Sequence, residues 1–195
     1  MKLFLASKSP RRGKLLSQIN IDYERIAADV DEIKQTEETS QDYVQRLALE
    51  KAQAGLAALR VTLMTEKNGQ QPVVLGSDTI VVCNDIVMEK PKDKQHAHQM
   101  MTLLSNNTHQ VFTAIALVSE AQQVVELVVT DVTFKILTEQ EISDYWQTGE
   151  PQDKAGGYGI QGIAGQFVTH LSGSYSAVVG LPLYETAELI KRFKG

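Results

Sequence analysis

The first twelve residues constrain the fold of this chain more than any other stretch of its sequence. The apolar run at 3–6 predicts a short buried strand, and a helix follows with Ser9 as its N-cap and Pro10 as its first residue. A strand, a polar turn and a helix N-terminus form an anion-binding site, because unpaired N–H groups and the positive end of the helix dipole face one point. Three cations lie in the same stretch: Lys8, Arg11 and Arg12. A solvated basic turn is the alternative interpretation, but the strand and the proline favour phosphate binding.

The remaining sequence alternates between strand-like and helix-like patterns. Strands are predicted at 22–28, 73–76, 80–83, 108–119, 122–136 and 167–171, and helices after the N-caps Ser40, Asp93 and Thr138 and after Pro182. The polar stretch 64–72 is predicted to be a surface connection. The sequence therefore predicts an α/β (mixed α+β) fold: a twisted mixed sheet with flanking helices, in one domain over residues 1–195 with two lobes around a cleft.

Charge and composition argue against several classes of protein. The net charge is −5 and the sequence pI is near 5.4, which disfavours a broad nucleic-acid surface but allows a small anionic substrate at a local basic cluster. The single cysteine, Cys83, cannot form an internal disulfide, and no signal-peptide pattern is visible, so a cytoplasmic protein is expected. No apolar run approaches the roughly 20 residues that span a bilayer, so no membrane partner is expected.

Asp78 is the strongest candidate for a catalytic group. It lies between the apolar runs 73–76 and 80–83, where a break in the strand would put its carboxylate at a strand end. A carboxylate in that position can act as a general base, as a metal ligand or as both. A turn-forming aspartate that bonds the backbone is the ordinary alternative.

Glu32 is the second candidate carboxylate, and it lies close to Asp29 and Asp31 in the sequence. If Glu32 and Asp78 are brought together, they can hold a hard divalent ion against phosphate oxygens. The Asp-x-Asp pair also resembles the nucleophile motif of haloacid-dehalogenase-type phosphatases. That motif normally ends a hydrophobic strand, however, and the residues before this one are Arg-Ile-Ala-Ala at 25–28.

The order of these features along the chain resembles the Maf family of nucleoside triphosphate pyrophosphatases. The matching segments are LASKSPRR at 5–12, DE at 31–32, RLALEKA at 46–52, GSDTIV at 76–81, EKP at 89–91, THQV at 108–111, GEP at 149–151, KAGGYGIQG at 154–162, GSYS at 173–176 and VVGLP at 178–182. They extend over nearly the whole chain. Two of them contain Lys51 and Lys90, which are candidate triphosphate ligands but would be solvated lysines on most such segments.

The resemblance implies a metal-dependent hydrolase that splits a nucleoside triphosphate into the monophosphate and pyrophosphate. It implies a fold related to that of inosine triphosphatases, a divalent cation (Mg²⁺ or Mn²⁺) as cofactor, and a homodimer. By motif, Asp78 falls on the proton-acceptor position. The positions that handle phosphate and metal are Ser7, Arg11, Arg12, Glu32, Lys51 and Lys90, with Glu32 and Asp78 as the metal ligands.

The resemblance also predicts which nucleotide is used. Arg12, Thr79 and Gln161 match the residues associated with the subfamily that acts on dTTP and UTP, whereas the branch that acts on 7-methyl-GTP differs at these positions. A glutamine amide can both donate to and accept from the edge of uracil or thymine. A second function stays open, namely a nucleotide-binding regulator of septum formation without significant turnover.

Overall fold

The structure is a computed structural model that describes residues 2–63 and 71–194. Its strands are β1 Lys2–Ala6, β2 Glu24–Ile26, β3 Pro72–Cys83, β4 Ile86–Met88, β5 Thr108–Val118, β6 Gln123–Phe134 and β7 Val168–Ser172. Its helices are α1 Pro10–Gln18, α2 Ser40–Leu63, α3 Lys94–Leu104, α4 Glu139–Gln147, α5 Tyr175–Val179 and α6 Leu183–Lys194. The predicted surface connection at 64–72 lies outside the described residues except for its last two positions.

The described strands belong to one mixed sheet. Its order is β2-β1-β3-β5-β6-β7, and β4 pairs with β3. Strand β1 is parallel to both β2 and β3, whereas the pairs β3–β4 and β6–β7 are antiparallel. Parallel and antiparallel pairs in one sheet, alternating with helices along the chain, confirm the predicted mixed α/β class.

The chain folds as two compact units. The first consists of Met1–Asp78, Thr113–Val128 and Gly180–Gly195, and the second of Thr79–Phe112 and Val129–Val179. One domain over residues 1–195 and a cleft between two lobes both stay predictions. No helix among the described residues is long and apolar enough to cross a membrane.

In the first unit, α2 lies very close to the parallel strands. A Cβ added at Gly76 of β3 would lie 2.2 Å from the carbonyl oxygen of Ala48 and 2.7 Å from the backbone nitrogen of Ala52, so only glycine fits there. Gly55, one turn further along α2, also packs tightly but less so, with the Ala6 side chain 3.0 Å from its added Cβ. This close packing fixes α2 against β3.

The second unit is built around an aromatic cluster. The rings of His109 and Tyr158 pack edge to face on Phe134, with centroid distances of 5.1 and 4.9 Å, and His109 Nε2 shares a 2.7 Å hydrogen bond with the Tyr158 hydroxyl. Burial lowers the pKa of His109 to about 4, although the charge of Asp131 acts in the opposite direction. The imidazole is therefore neutral at pH 7.

The helix starts test the predicted N-caps. Asp93 and Thr138 cap α3 and α4 as predicted, and Thr138 forms a capping box with Glu141. The prediction for α2 is wrong by one residue, because Ser40 is already helical and the hydroxyl of Thr39 accepts the N–H of Asp42 at 3.1 Å. The hydroxyl of Thr39 or of Ser40 could have capped this helix, and the pattern of apolar residues does not distinguish the two positions.

Strand β3 corrects the prediction of a break at Asp78. The strand continues from Pro72 to Cys83, so Asp78 lies inside it. Pairing holds β3 extended on both sides of the aspartate: with β1 as far as Gly76 and with β4 from Val81. Asp78 nevertheless lies just beyond the end of the ladder with β1, at the carboxyl end of that strand.

Candidate active site

Three parallel strands of the first unit come to the same edge of the sheet. Ala6, the last residue of β1, pairs with Ile26, the last residue of β2, and with Gly76 of β3. The carboxyl ends of parallel strands are the usual ligand-binding edge of α/β proteins. The segments that follow these positions carry three of the predicted site residues: Ser7, Glu32 and Asp78.

The turn after β1 is organised by the Ser7 hydroxyl. Its Oγ accepts the backbone N–H of Ser9 at 3.2 Å and a guanidinium N–H of Arg12 at 3.1 Å. Pro10 begins α1, and Ser9 precedes it in extended conformation without a side-chain cap. The first amides of α1 therefore have no side-chain acceptor from Ser9, which is the condition for binding an anion at a helix N-terminus.

Arg12 connects this turn to the segment that precedes α6. Its Nε donates to the Gly180 carbonyl oxygen at 2.8 Å, and the buried Ser77 hydroxyl donates to the same oxygen at 3.2 Å. Burial lowers the pKa of Arg12, whereas the negative charge of Asp78 raises it, and a guanidinium stays protonated under both influences. Arg12 thus supplies a fixed positive charge at the strand ends.

Lys51 bonds both candidate carboxylates. Its ammonium lies 2.6 Å from Glu32 Oε1 and 2.6 Å from Asp78 Oδ1. The side chains of Lys51 and Asp78 are 11% and 9% exposed, whereas that of Glu32 is 50% exposed. A buried ammonium is tolerated only when carboxylates of this kind pair with it. Because each hydrogen bond is 2.6 Å long, the bonded oxygens of Glu32 and Asp78 lie no further apart than twice that distance.

The packing of α2 explains why Lys51 reaches Asp78. Ala48 and Ala52, one turn apart on α2, lie directly against Gly76 of β3. Lys51 lies between them in sequence, and Asp78 is two residues beyond Gly76 and points to the same face of the strand. The two side chains meet because small residues let the helix approach the strand closely.

The chemistry of Glu32 and Asp78 fits a hard divalent cation. Each provides oxygen ligands, and Mg²⁺ is commonly held by one or two carboxylates together with substrate phosphates and water. Within the described part of the chain, no group of three or more His, Cys, Asp or Glu side chains is placed to hold a metal.

The remaining basic residues of the first turn differ from each other. Lys8 forms an exposed 2.6 Å ion pair with Asp29. Arg11 is half-buried and forms no ion pair with any described residue, so its guanidinium is available for a phosphate oxygen. Asp29, the first residue of the Asp-x-Asp pair, is thereby held by Lys8 in an exposed position.

The other three predicted site residues belong to the second unit. Thr79 is half-buried in β3, Lys90 is exposed between β4 and α3, and Gln161 is exposed in the glycine-rich segment before β7. The segment around Gln161 is held by Glu150, whose carboxylate accepts the backbone N–H of Ile163 at 2.8 Å and the Tyr145 hydroxyl at 2.9 Å. The site roles predicted for Thr79, Lys90 and Gln161 are supported by the sequence motifs and not by contacts in the structure.

The structure adds residues that the sequence did not reveal as functional. Ser77 and the carbonyl of Gly180 organise Arg12, and Tyr43 and Arg46 contact the segment that carries Glu32. Ser77, Gly180 and Arg46 lie within the matching segments quoted above, which was the available signal for all three. Nothing in the sequence marks Tyr43, because an aromatic residue on the apolar face of a helix ordinarily indicates core packing.

Comparisons with known proteins show the family to which this chain belongs. A family model described as "Maf-like protein" matches residues 2–193. A protein named dTTP/UTP pyrophosphatase from Vibrio parahaemolyticus is 54% identical over 99% of this chain and 97% of its own length. The proteins of that name from Colwellia psychrerythraea and Shigella dysenteriae are 55% and 53% identical, over 97% and 98% of this chain and 87% and 92% of their own lengths. The solved Ham1 protein of Staphylococcus aureus is 15% identical with a TM-score of 0.40, over 69% of this chain and 72% of its own, which is too distant to carry an argument.

Proposed function

Because the chain belongs to the Maf-like protein family, we propose that it is a nucleoside triphosphate pyrophosphatase that hydrolyses dTTP and UTP to the monophosphate and pyrophosphate. One observation carries the chemistry: Lys51 bonds both Glu32 and Asp78 at the edge of the sheet where the basic turn after β1 also lies. Carboxylates for water activation and cations for phosphate are the groups that this hydrolysis needs.

The basic turn binds the triphosphate in this proposal. Ser7, the first amides of α1 and the guanidinium of Arg11 provide donors for phosphate oxygens. Arg12 contributes charge from a side chain already fixed by the Gly180 carbonyl, so little side-chain entropy is lost when the substrate binds. By motif, Lys51 and Lys90 supply further positive charge to the triphosphate.

Asp78 acts as the general base. A water hydrogen-bonded to its carboxylate gives up a proton and attacks the α-phosphorus, and pyrophosphate leaves. Lys51 bonds only one oxygen of Asp78, Oδ1, so the same carboxylate retains Oδ2 as an acceptor for a proton. Lys51 also fixes the carboxylate in one orientation.

Glu32 and Asp78 would hold a divalent cation, Mg²⁺ or Mn²⁺. When bound, the cation supplies Lewis-acid stabilisation of the negative charge that develops on the phosphate oxygens. The support for this part of the proposal is the pair of carboxylates on one ammonium and the half-exposed position of Glu32.

The preference for a pyrimidine base is assigned to Arg12, Thr79 and Gln161. Its support is the match of these residues to the subfamily pattern and the names of the relatives. Gln161 is exposed and its neighbours are held by Glu150, which suits a side chain that reads a ligand.

The proposal is tested by incubating the protein with a panel of nucleoside triphosphates and Mg²⁺ or Mn²⁺ and identifying the products. UMP or dTMP together with pyrophosphate is the expected result. Release of orthophosphate would instead indicate a phosphatase, and tight binding of UTP without products would indicate the nucleotide-binding regulator.

Two properties of the whole protein belong to the same proposal. We place the enzyme in the cytoplasm, where its substrates are made, and the single buried cysteine suits a reducing compartment.

We also propose a homodimer, which the family resemblance supports. Sedimentation velocity of the purified protein tests this proposal, and a single species of monomer mass would contradict the dimer.

A further inference from the structure

The segment that carries Glu32 has no regular structure of its own. Residues 27–39, between β2 and α2, form neither helix nor strand, and Ile33, the neighbour of Glu32, is 72% exposed. A segment with few buried apolar contacts opens easily. Glu32 therefore depends on specific polar contacts to stay near Asp78.

Arg46 of α2 supplies one set of these contacts. Its Nε lies 2.7 Å from Glu38 Oε1 and its Nη2 lies 2.8 Å from Glu38 Oε2, which is a bidentate pair. The same Nη2 donates to the carbonyl oxygen of Ile33 at 3.0 Å, and Glu38 accepts the N–H of Gln35 at 3.0 Å. One guanidinium thus holds the segment at two points, directly after Glu32 and directly before α2.

Tyr43 holds Glu32 itself. Its hydroxyl donates to the backbone carbonyl oxygen of Glu32 at 3.0 Å, and the tyrosine is only 3% exposed. The guanidinium of Arg46 lies 5.5 Å from the centre of the Tyr43 ring. Lys51 bonds the Glu32 carboxylate from the same helix, so main chain and side chain of Glu32 are both attached to α2.

We propose that Tyr43 and Arg46 are positioning residues that fix the 27–39 segment so that the Glu32 carboxylate is ready to bind the divalent cation beside Asp78. The inference rests on the proposed function, because it gives Glu32 a metal to bind. Neither residue touches substrate or cation in this proposal. Both act through the backbone on which Glu32 is carried.

The attachment persists over the working pH range. The guanidinium of Arg46 lowers the pKa of Glu38 to about 2, so the bidentate pair is ionised at neutral pH and throughout mildly acidic conditions. Loss of metal binding between pH 6 and 8 would therefore not come from this pair.

Tyr43→Phe is the first test, because it removes one hydroxyl and keeps the buried ring. We expect Mn²⁺ to bind about 10-fold more weakly, as is typical when a group that orients a metal ligand is lost. The measurement is the free Mn²⁺ signal in electron paramagnetic resonance as Mn²⁺ is titrated into the protein without nucleotide, because a nucleoside triphosphate would itself bind Mn²⁺. Tyr145→Phe, which removes another buried hydroxyl from the second unit, is the matched control and should leave the Mn²⁺ constant unchanged.

Arg46→Ala is the second test, with Arg60→Ala as its control. Both arginines lie on α2 and pair with a glutamate, but the Arg60 partner is Glu120, outside the 27–39 segment. We expect Arg46→Ala alone to speed amide hydrogen exchange at 33–38 and to raise the Mn²⁺ concentration for half-maximal turnover. The KM for UTP at saturating Mn²⁺ should change less than twofold.

The outcomes separate this inference from the proposed function. Wild-type protein that releases no UMP and pyrophosphate overturns both. Wild-type turnover with an unchanged Mn²⁺ constant in Tyr43→Phe and Arg46→Ala overturns only the inference, as does an equal change in the two controls. Weaker Mn²⁺ binding in both test variants, with the controls unchanged, supports it.

Discussion

At the scale of single residues, Lys51 is the centre of the site. It provides the positive charge that lets Glu32 and Asp78 lie close together in a partly buried place. Arg12, whose charge we assign to the triphosphate, is likewise fixed in advance by the Gly180 carbonyl and the Ser7 hydroxyl. Preformed contacts of this kind reduce the reorganisation that catalysis would otherwise require.

Replacing Asp78 by asparagine should lower kcat by about 10²- to 10⁴-fold, because the amide cannot accept the proton of the attacking water. The variant keeps the size of the side chain and an oxygen for the Lys51 ammonium, so the fold should survive. Steady-state kinetics with UTP and circular dichroism measure the two effects. A folded Asp78→Asn protein with normal turnover would contradict the role of Asp78.

Replacing Glu150 by alanine should destabilise the protein by about 1–3 kcal/mol, because the Tyr145 hydroxyl and the Ile163 N–H lose a charged acceptor in a half-buried place. Urea unfolding measures the change. Glu139→Ala, which removes an exposed contact with His98 and one acidic charge from the first turn of α4, is the control and should cost less than about 1 kcal/mol. Equal losses of unfolding free energy in the two variants would show that the contacts of Glu150 stabilise the protein no more than an exposed contact does.

At the scale of elements, the approach of α2 to β3 brings the proposed catalytic groups together. The helix carries Lys51, its first turns carry Tyr43 and Arg46, and its small residues fit against Gly76 of the strand. A single packed helix thereby fixes three side chains relative to Asp78. The arrangement is rigid because the helix and the strand are each regular and their contact leaves no space.

Replacing Gly76 by alanine should therefore disturb both stability and activity. The new methyl group would overlap the backbone of α2, and overpacking of this kind costs about 1–3 kcal/mol. We expect a lower Tm and a lower kcat, since Lys51 moves with the helix. Gly159→Ala is the control, because its methyl would meet side-chain atoms of Lys154 and Glu150 and no backbone atom. A Tm shift as large as that of Gly76→Ala would disprove the explanation.

At the scale of the whole molecule, buried His109 makes stability depend on pH. Its folded pKa is about 4, against about 6.5 for an exposed histidine, so between these values the unfolded chain binds a proton that the folded chain does not. Stability therefore falls as the pH is lowered from 6.5 to 4. The pKa difference corresponds to about 3 kcal/mol. Asp131 is the charged group that opposes this shift.

This pH dependence is tested by urea unfolding at pH 7 and pH 4.5. The wild type should lose stability over this interval, and His109→Gln, which has no titrating group at the position, should lose less. Glu38 and Glu141, whose folded pKa values are both about 2, contribute stability that is lost only as the pH falls below about 4.5. Identical pH profiles for the two proteins would contradict the assignment to His109.

The sequence by itself determined the class of fold, the family and the identity of the candidate groups. Strand and helix patterns are local, so β1, the start of α1 at Pro10 and the caps Asp93 and Thr138 could be read from neighbouring residues. The order of the motifs then pointed to the family, which the comparisons confirmed over residues 2–193.

Only the tertiary structure decided how these groups meet. Lys51 is 19 residues from Glu32 and 27 from Asp78, and Arg12 is 168 residues from Gly180. Contacts at such separations depend on strand register and on how closely a helix packs, which no local pattern specifies. For the same reason the sequence placed Asp78 at a strand break, whereas pairing on both sides of it keeps β3 continuous.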